Sequence, residues 1–192
     1  MSIFDKLKNS SSNTTQPTQQ SLAGSFVNQK QVFTFSDLPE SLMQLQALPE
    51  AVLDDPYKTA ALTVCALCVY GADNTIGAQM LNWLRGPRPL THSDISFLND
   101  RFRDGKFYVP FSYFKGAKPD NDYTPERPFT LEIESNPYSD ANPGYKKLFL
   151  RSGGADNPRE IVLRMRGDGK WFLWDQFILV GIRDPRSADP WA

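Results

Sequence analysis

One histidine, two cysteines and no surplus of either charge are what this chain of 192 residues brings to chemistry. A zinc site built on paired histidines is excluded, because His92 stands alone. A disulfide framework is excluded by count, with only Cys65 and Cys68 present. Lys and Arg total 21 against 22 Asp and Glu, for a formal net charge of −1. That balance argues against nucleic acid as the main partner, which needs a basic surplus to neutralise phosphates. No stretch approaches the roughly 20 apolar residues that span a bilayer. The start, Met1 to Asn9, lacks the apolar run of a signal peptide, so the expectation is a cytoplasmic protein. Phosphate-cradling loops of the Gly-x-x-x-x-Gly-Lys and Gly-x-Gly-x-x-Gly types are absent, as is a Gly-x-Ser-x-Gly elbow. Asp120-Asn-Asp122 begins like a calcium loop but lacks the glycine and glutamate that would complete one.

What is present is material for one core. Hydrophobic residues make up 40% and aromatics 12%, enough for a single domain without disulfide or metal. Residues 1–25 read as a disordered arm. A short amphipathic tip with Ile3, Phe4 and Leu7 on one face leads into a polar Ser/Asn/Thr/Gln stretch that cannot bury enough to order itself. Residues 26–192 read as the folded domain.

Its first half is helical. Gln31–Phe35 predicts a short strand. Ser36 and Asp37 are candidate caps for a helix over 38–48, with Leu38, Leu42, Leu45 and Leu48 on one face. Asp55 and Pro56 open a helix over 57–70 that is apolar nearly all round and so expected at the centre, with Gly71 as its stop. Asp73 or Asn74 begins a third, carrying Ile76, Met80, Leu81 and Leu84 and ending at Gly86-Pro87. Thr91-His-Ser-Asp94 has capping-box spacing and opens a fourth, with Ile95, Leu98 and Phe102 inward.

The second half alternates. Residues 107–128 form a long crossing segment rich in proline and aromatics. Strands follow over 129–134, 145–151 and 160–166, with a Gly167-Asp-Gly169 hairpin turn and a return strand over 170–177. The return strand is apolar on both faces and is therefore expected inside the sheet. Helices first and a meander after them predict an α+β fold, N-terminal helices packed on one face of a C-terminal antiparallel sheet.

The candidate chemical groups have plain readings. Cys65 and Cys68 lie well inside an apolar helix, away from the helix N-terminus that would activate a thiol, and read as core. His92 reads as a surface or capping residue, with no nucleophile or carboxylate identified beside it. Arg164 and Arg166 lie on one strand, with Lys147, Arg151, Glu132 and Glu134 on neighbouring strands. This is either a solvated face of cross-strand charge pairs or an anion-binding surface. Five aromatics in Phe107–Phe114 cannot all sit in solvent; some are expected to plug the gap between helices and sheet and the rest to line a pocket or an interface.

Three groups of strings resemble a known family. They are Phe33-Thr-Phe-Ser-Asp-Leu-Pro39, the segment 85–128 with Val109-Pro-Phe-Ser-Tyr-Phe-Lys-Gly-Ala117, and the segment 145–192 with Trp171-Phe-Leu-Trp-Asp-Gln-Phe177. They resemble an uncharacterised bacterial domain of unknown function found mostly in Gram-positive anaerobes, across residues 32–192. That resemblance implies no activity, substrate or catalytic residue. The basic strand, Gly-Asp-Gly-Lys-Trp turn and aromatic strand are also similar to the last hairpin of the cone-shaped nuclear-transport-factor-like domains. That similarity implies a curved sheet with helices inside the curve, but the His/Asp pair used by enzymes of that group is missing here.

The functional expectation is a non-enzymatic cytoplasmic binding or protein-interaction domain, with no catalytic residue, no cofactor and no metal. The alternative is a small-molecule pocket, open to catalysis, in a cone between sheet and helices. Tyr113, Arg164, Arg166 and Trp174 are the candidate ligand-binding residues. The partner is a protein, a small molecule or a second copy of the chain, and not nucleic acid.

Overall fold

A computed structural model describes residues 28–191. Five strands form one antiparallel sheet: β1 (Lys30–Phe35), β2 (Phe129–Glu134), β3 (Tyr145–Leu150), β4 (Arg159–Met165) and β5 (Trp171–Gln176). Their order in the sheet is their order in the chain. All five helices lie between β1 and β2: α1 (Leu42–Gln46), α2 (Pro56–Ala72), α3 (Asn74–Arg85), α4 (His92–Phe102) and α5 (Tyr108–Phe111). The fold is α+β, with helices against a meander. The expected first strand exists and forms an edge of the meander beside β2.

α2 is the centre, because its sequence has no polar face to turn to water. Asp55 caps it by accepting from the Tyr57 N–H at 2.8 Å, and Pro56 fills the first turn. It touches all five strands. Leu62 and Leu67 meet Leu131, Ile133, Leu148, Leu150, Ile161 and Leu163 in one core. None of these side chains has any accessible surface. Helices and sheet meet closely there, and a cavity of about 270 Å³ opens between the helices and β5, lined by Leu67, Leu81, Leu98 and Leu173.

Several boundaries differ from the sequence reading. The helix expected over 38–48 shrinks to α1, capped by Ser41 rather than Ser36 or Asp37. Pro39 holds Leu38 away from helical geometry, and Pro49 begins a separate 3₁₀ turn. α2 does not stop at Gly71 but runs through it to Ala72. Asp73 ends α2 and also caps α3, accepting from the Thr75 and Ile76 N–H groups. A single residue thus joins the two longest helices. In α4 only Leu98 and Phe102 are buried, while Ile95 is 38% exposed. Only part of the aromatic crossing segment is core, and Phe107 is 50% exposed. Val109, Pro110, Tyr113 and Phe114 are buried, and Phe114 bridges to Leu131.

β5 departs most from expectation: it is an edge strand rather than an interior one. The rest of the chain covers that edge. The Trp171 N–H donates to the Leu53 carbonyl at 2.8 Å, the Thr59 hydroxyl donates to the Trp171 carbonyl at 2.9 Å, and Arg88 donates to the Trp174 carbonyl at 2.8 Å. A strand apolar on both faces can be an edge when other elements close it.

Candidate arginine and aromatic cleft

The covering of β5 creates the feature with the most unspent chemistry. α3 ends at Gly86, whose φ of +57° is left-handed. A side chain there would also collide with the Phe172 ring, since an added Cβ would lie 2.5 Å from Cδ1. Glycine is required on both counts. The loop that follows, residues 86–91, is pinned at each end. The Leu90 N–H donates to the Asn82 side chain at 2.7 Å, and Thr91 and Asp94 form the capping box that the spacing predicts. Arg85 reaches along the loop, donating from Nε to the Arg88 carbonyl at 3.0 Å and from Nη2 to Asp94 at 3.4 Å. Burial pushes the Arg85 guanidinium down from its ordinary pKa, against the attraction of Asp94.

This loop lays Arg88 over Trp174, with Cζ 4.3 Å from the ring centroid. Trp174 occupies the irregularity where the β4–β5 register shifts between Val162 and Leu163. Arg164, from β4, lies over the same indole at 4.6 Å and over Tyr145 at 5.2 Å. Tyr145 meets Trp174 edge-on at 5.5 Å. One strand end further, Arg166 lies over Phe172 at 4.8 Å. Arg88, Arg164, Arg166 and Trp174 line a cleft of about 380 Å³ together with Pro87, Met165, Phe172 and Leu173. Met165, inward by strand alternation, sits at the hairpin end and is 45% exposed to this cleft.

The cations here are not equivalent. Arg166 is forked onto Asp168 in the hairpin turn, and that contact holds the Asp168 carboxyl down at about 2. Elsewhere on the sheet Arg151 pairs with Glu134 as expected, while Lys147 pairs with Glu160 and Lys30 with Glu132. Among the described residues, neither Arg88 nor Arg164 has a carboxylate partner. The Arg164 guanidinium makes no hydrogen bond among them, and the Arg88 guanidinium makes only the one to the Trp174 carbonyl. Stacking on an aromatic ring fixes a guanidinium and leaves its edge N–H groups free to donate, contributing roughly 0.5–1 kcal/mol at exposed sites.

Three of the four candidate residues, Arg164, Arg166 and Trp174, therefore meet in one cleft. Tyr113 does not join them. It is buried in the core, where its hydroxyl donates to the Ile178 carbonyl at 2.6 Å and burial pushes its pKa up. Arg88 and Gly86 are the members that sequence reasoning missed. Arg-Gly-Pro-Arg read only as a helix stop, and nothing in it pointed across to β5. Cys65 and Cys68 are free and fully packed in α2, and burial raises both thiol pKa values. His92 is exposed at the first position of α4. Among the described residues, no three His, Cys, Asp or Glu side chains gather as metal ligands. No helix among them is long and apolar enough to cross a membrane.

A second depression, of about 670 Å³, lies between residues 37–44, the α2–α3 corner and Phe129. Its arginine, Arg127, is already paired with Asp37 at 2.8 Å and lies over Phe129.

No curated protein and no solved structure matches the chain. One family model does, a domain of unknown function designated DUF6935, over residues 37–186, and the chain belongs to that family.

Proposed function

We propose that the protein is a non-enzymatic cytoplasmic binding domain whose ligand site is the cleft between the α3–α4 loop and the β4–β5 hairpin. One observation carries the reading. Among the described residues, Arg88 and Arg164 lie over a single indole without a carboxylate partner, while Lys30, Lys147 and Arg151 are paired with carboxylates and Arg159 is spent on three backbone carbonyls. Two positive charges held by packing rather than by counter-charge are prepared for an anion from outside. Two reduced cysteines three residues apart in the central helix fit a reducing compartment.

The test is a fragment screen of the full chain, read by NMR at the indole and guanidinium N–H resonances. Binders are expected to shift Trp174 and Arg164 and to be recovered unchanged. Binders that collect on another surface, or compounds that are turned over, would overturn the proposal.

A further inference from the structure

The cleft's charges and floor narrow the class of ligand. We infer that the cleft takes a small organic phosphate monoester, its phosphate on the Arg88 and Arg164 guanidiniums that line the cleft and its apolar body on Pro87 and Met165. The inference rests on the proposed binding role of this cleft and assigns its chemistry.

Charge matching is the first argument. Arg166 is neutralised by Asp168 and Arg85 by Asp94, which leaves two unpaired cations at the cleft, Arg88 and Arg164. A monocarboxylate would leave one of them uncompensated. A phosphate monoester carries a charge of about −1.5 to −2 near pH 7 and balances both. Donor supply is the second argument. A guanidinium has five N–H donors, and Arg164 spends none of them within the protein while Arg88 spends one. Three phosphate oxygens can use that surplus, which two carboxylate oxygens cannot. The third argument concerns the body of the ligand. The floor is apolar, and about 380 Å³ suits one ring or a short chain beside the phosphate. The indole of Trp174 already carries two guanidiniums and the Phe172 ring carries that of Arg166, so the body of the ligand rests on the exposed Pro87 and Met165.

The experiment titrates full-length protein with phenyl phosphate, benzoate and inorganic phosphate, followed by Trp fluorescence and calorimetry. Phenyl phosphate is expected to bind at least about tenfold more tightly than benzoate, the increment of one well-made charged contact. It is also expected to exceed inorganic phosphate and to weaken with added salt. Affinity should fall as pH drops through about 6, where the ester becomes a monoanion. Arg88→Ala and Arg164→Ala should each lose about tenfold, Arg88→Lys and Arg164→Lys a part of it, and Arg151→Ala nothing. The lysine variants keep the charge and guard against an alanine variant that unfolds.

The failures are distinguishable. Benzoate binding as tightly as phenyl phosphate at the same two arginines overturns the phosphate assignment and leaves the cleft as the site. Inorganic phosphate binding as tightly as the ester overturns the organic body. Phenyl phosphate binding that ignores both arginine variants, or no binding by any probe, overturns this inference and the cleft with it.

Discussion

The Phe172 ring occupies the space where a side chain on Gly86 would begin, and Gly86 turns the chain at a φ of +57°. The contact couples the end of α3 to β5 and so sets where Arg88 comes down on Trp174. Gly86→Ala meets both the left-handed penalty of about 1–2 kcal/mol and a clash with a ring that cannot swing freely. Urea unfolding should show a loss of about 2–4 kcal/mol. In whatever fraction remains folded, Trp174 fluorescence should change as Arg88 is displaced.

Gly77 plays the corresponding part inside the helical layer. An added Cβ would come within 2.5 Å of the Tyr70 Cβ and backbone nitrogen, because Asp73 alone turns α2 back into α3. Backbone cannot yield as a flexible side chain does, so the helices would have to separate. Gly77→Ala should destabilise by about 3 kcal/mol despite alanine's better helix propensity. A thermal midpoint equal to or above that of the wild type would show that the corner relaxes.

The legible parts of this fold are those decided within a few residues. Asp55-Pro56, Asp73 and the Thr91/Asp94 box each made the cap that their spacing announces. Alternation placed Leu148, Leu150, Ile161 and Leu163 correctly. The errors arose where a distant element decides. β5 looked interior because both faces are apolar, yet its second face meets Arg88, Arg164 and Tyr145, not another strand. Gly71 looked like a stop, yet it is small because an added Cβ would lie 3.2 Å from Phe102. The cleft was legible in three residues, as basic and aromatic side chains on a hairpin. Arg88 was not, since its partner lies across the molecule.

The thiols give a test of the core. Cys65 has no accessible surface and Cys68 is only 3% exposed, and burial raises their pKa values, so the reactive thiolate is scarce at neutral pH. Neither should react with iodoacetamide in the native protein, and both should react in urea at the rate of a free thiol. Fast native labelling of either would contradict the packing around α2.

Tyr113 separates core from cleft. Its hydroxyl donates to the Ile178 carbonyl, just past β5, and is the group that Tyr113→Phe removes. Losing the bond leaves a buried carbonyl short of a donor and should cost about 1–2 kcal/mol in denaturant unfolding. Phenyl phosphate affinity should stay that of the wild type. A selective loss of affinity without loss of stability would return Tyr113 to the binding site.

Asp94 ties the cleft's loop to pH. Burial raises its pKa, but donation from the Thr91 N–H and hydroxyl and the charges of Arg85 and Arg88 outweigh it, so the carboxyl titrates below its ordinary value. A folded-state pKa lower than the unfolded one means the stabilisation is fully present above the unfolded value, about 3.9, and is lost as pH falls through the folded value. Asp94→Asn removes the charge at every pH, weakens the capping box and leaves Arg85, 6% exposed, without its carboxylate. Because the Asp94 side chain is 31% exposed, solvent screening limits the effect to about 1–2 kcal/mol at pH 7. Urea midpoints of the two proteins should differ at pH 7, and the gap should be smaller at about pH 2, beyond the ordinary carboxylate value of about 3.9. A gap of equal size at both values would mean that the carboxylate's charge contributes nothing and that only the shape of the side chain matters.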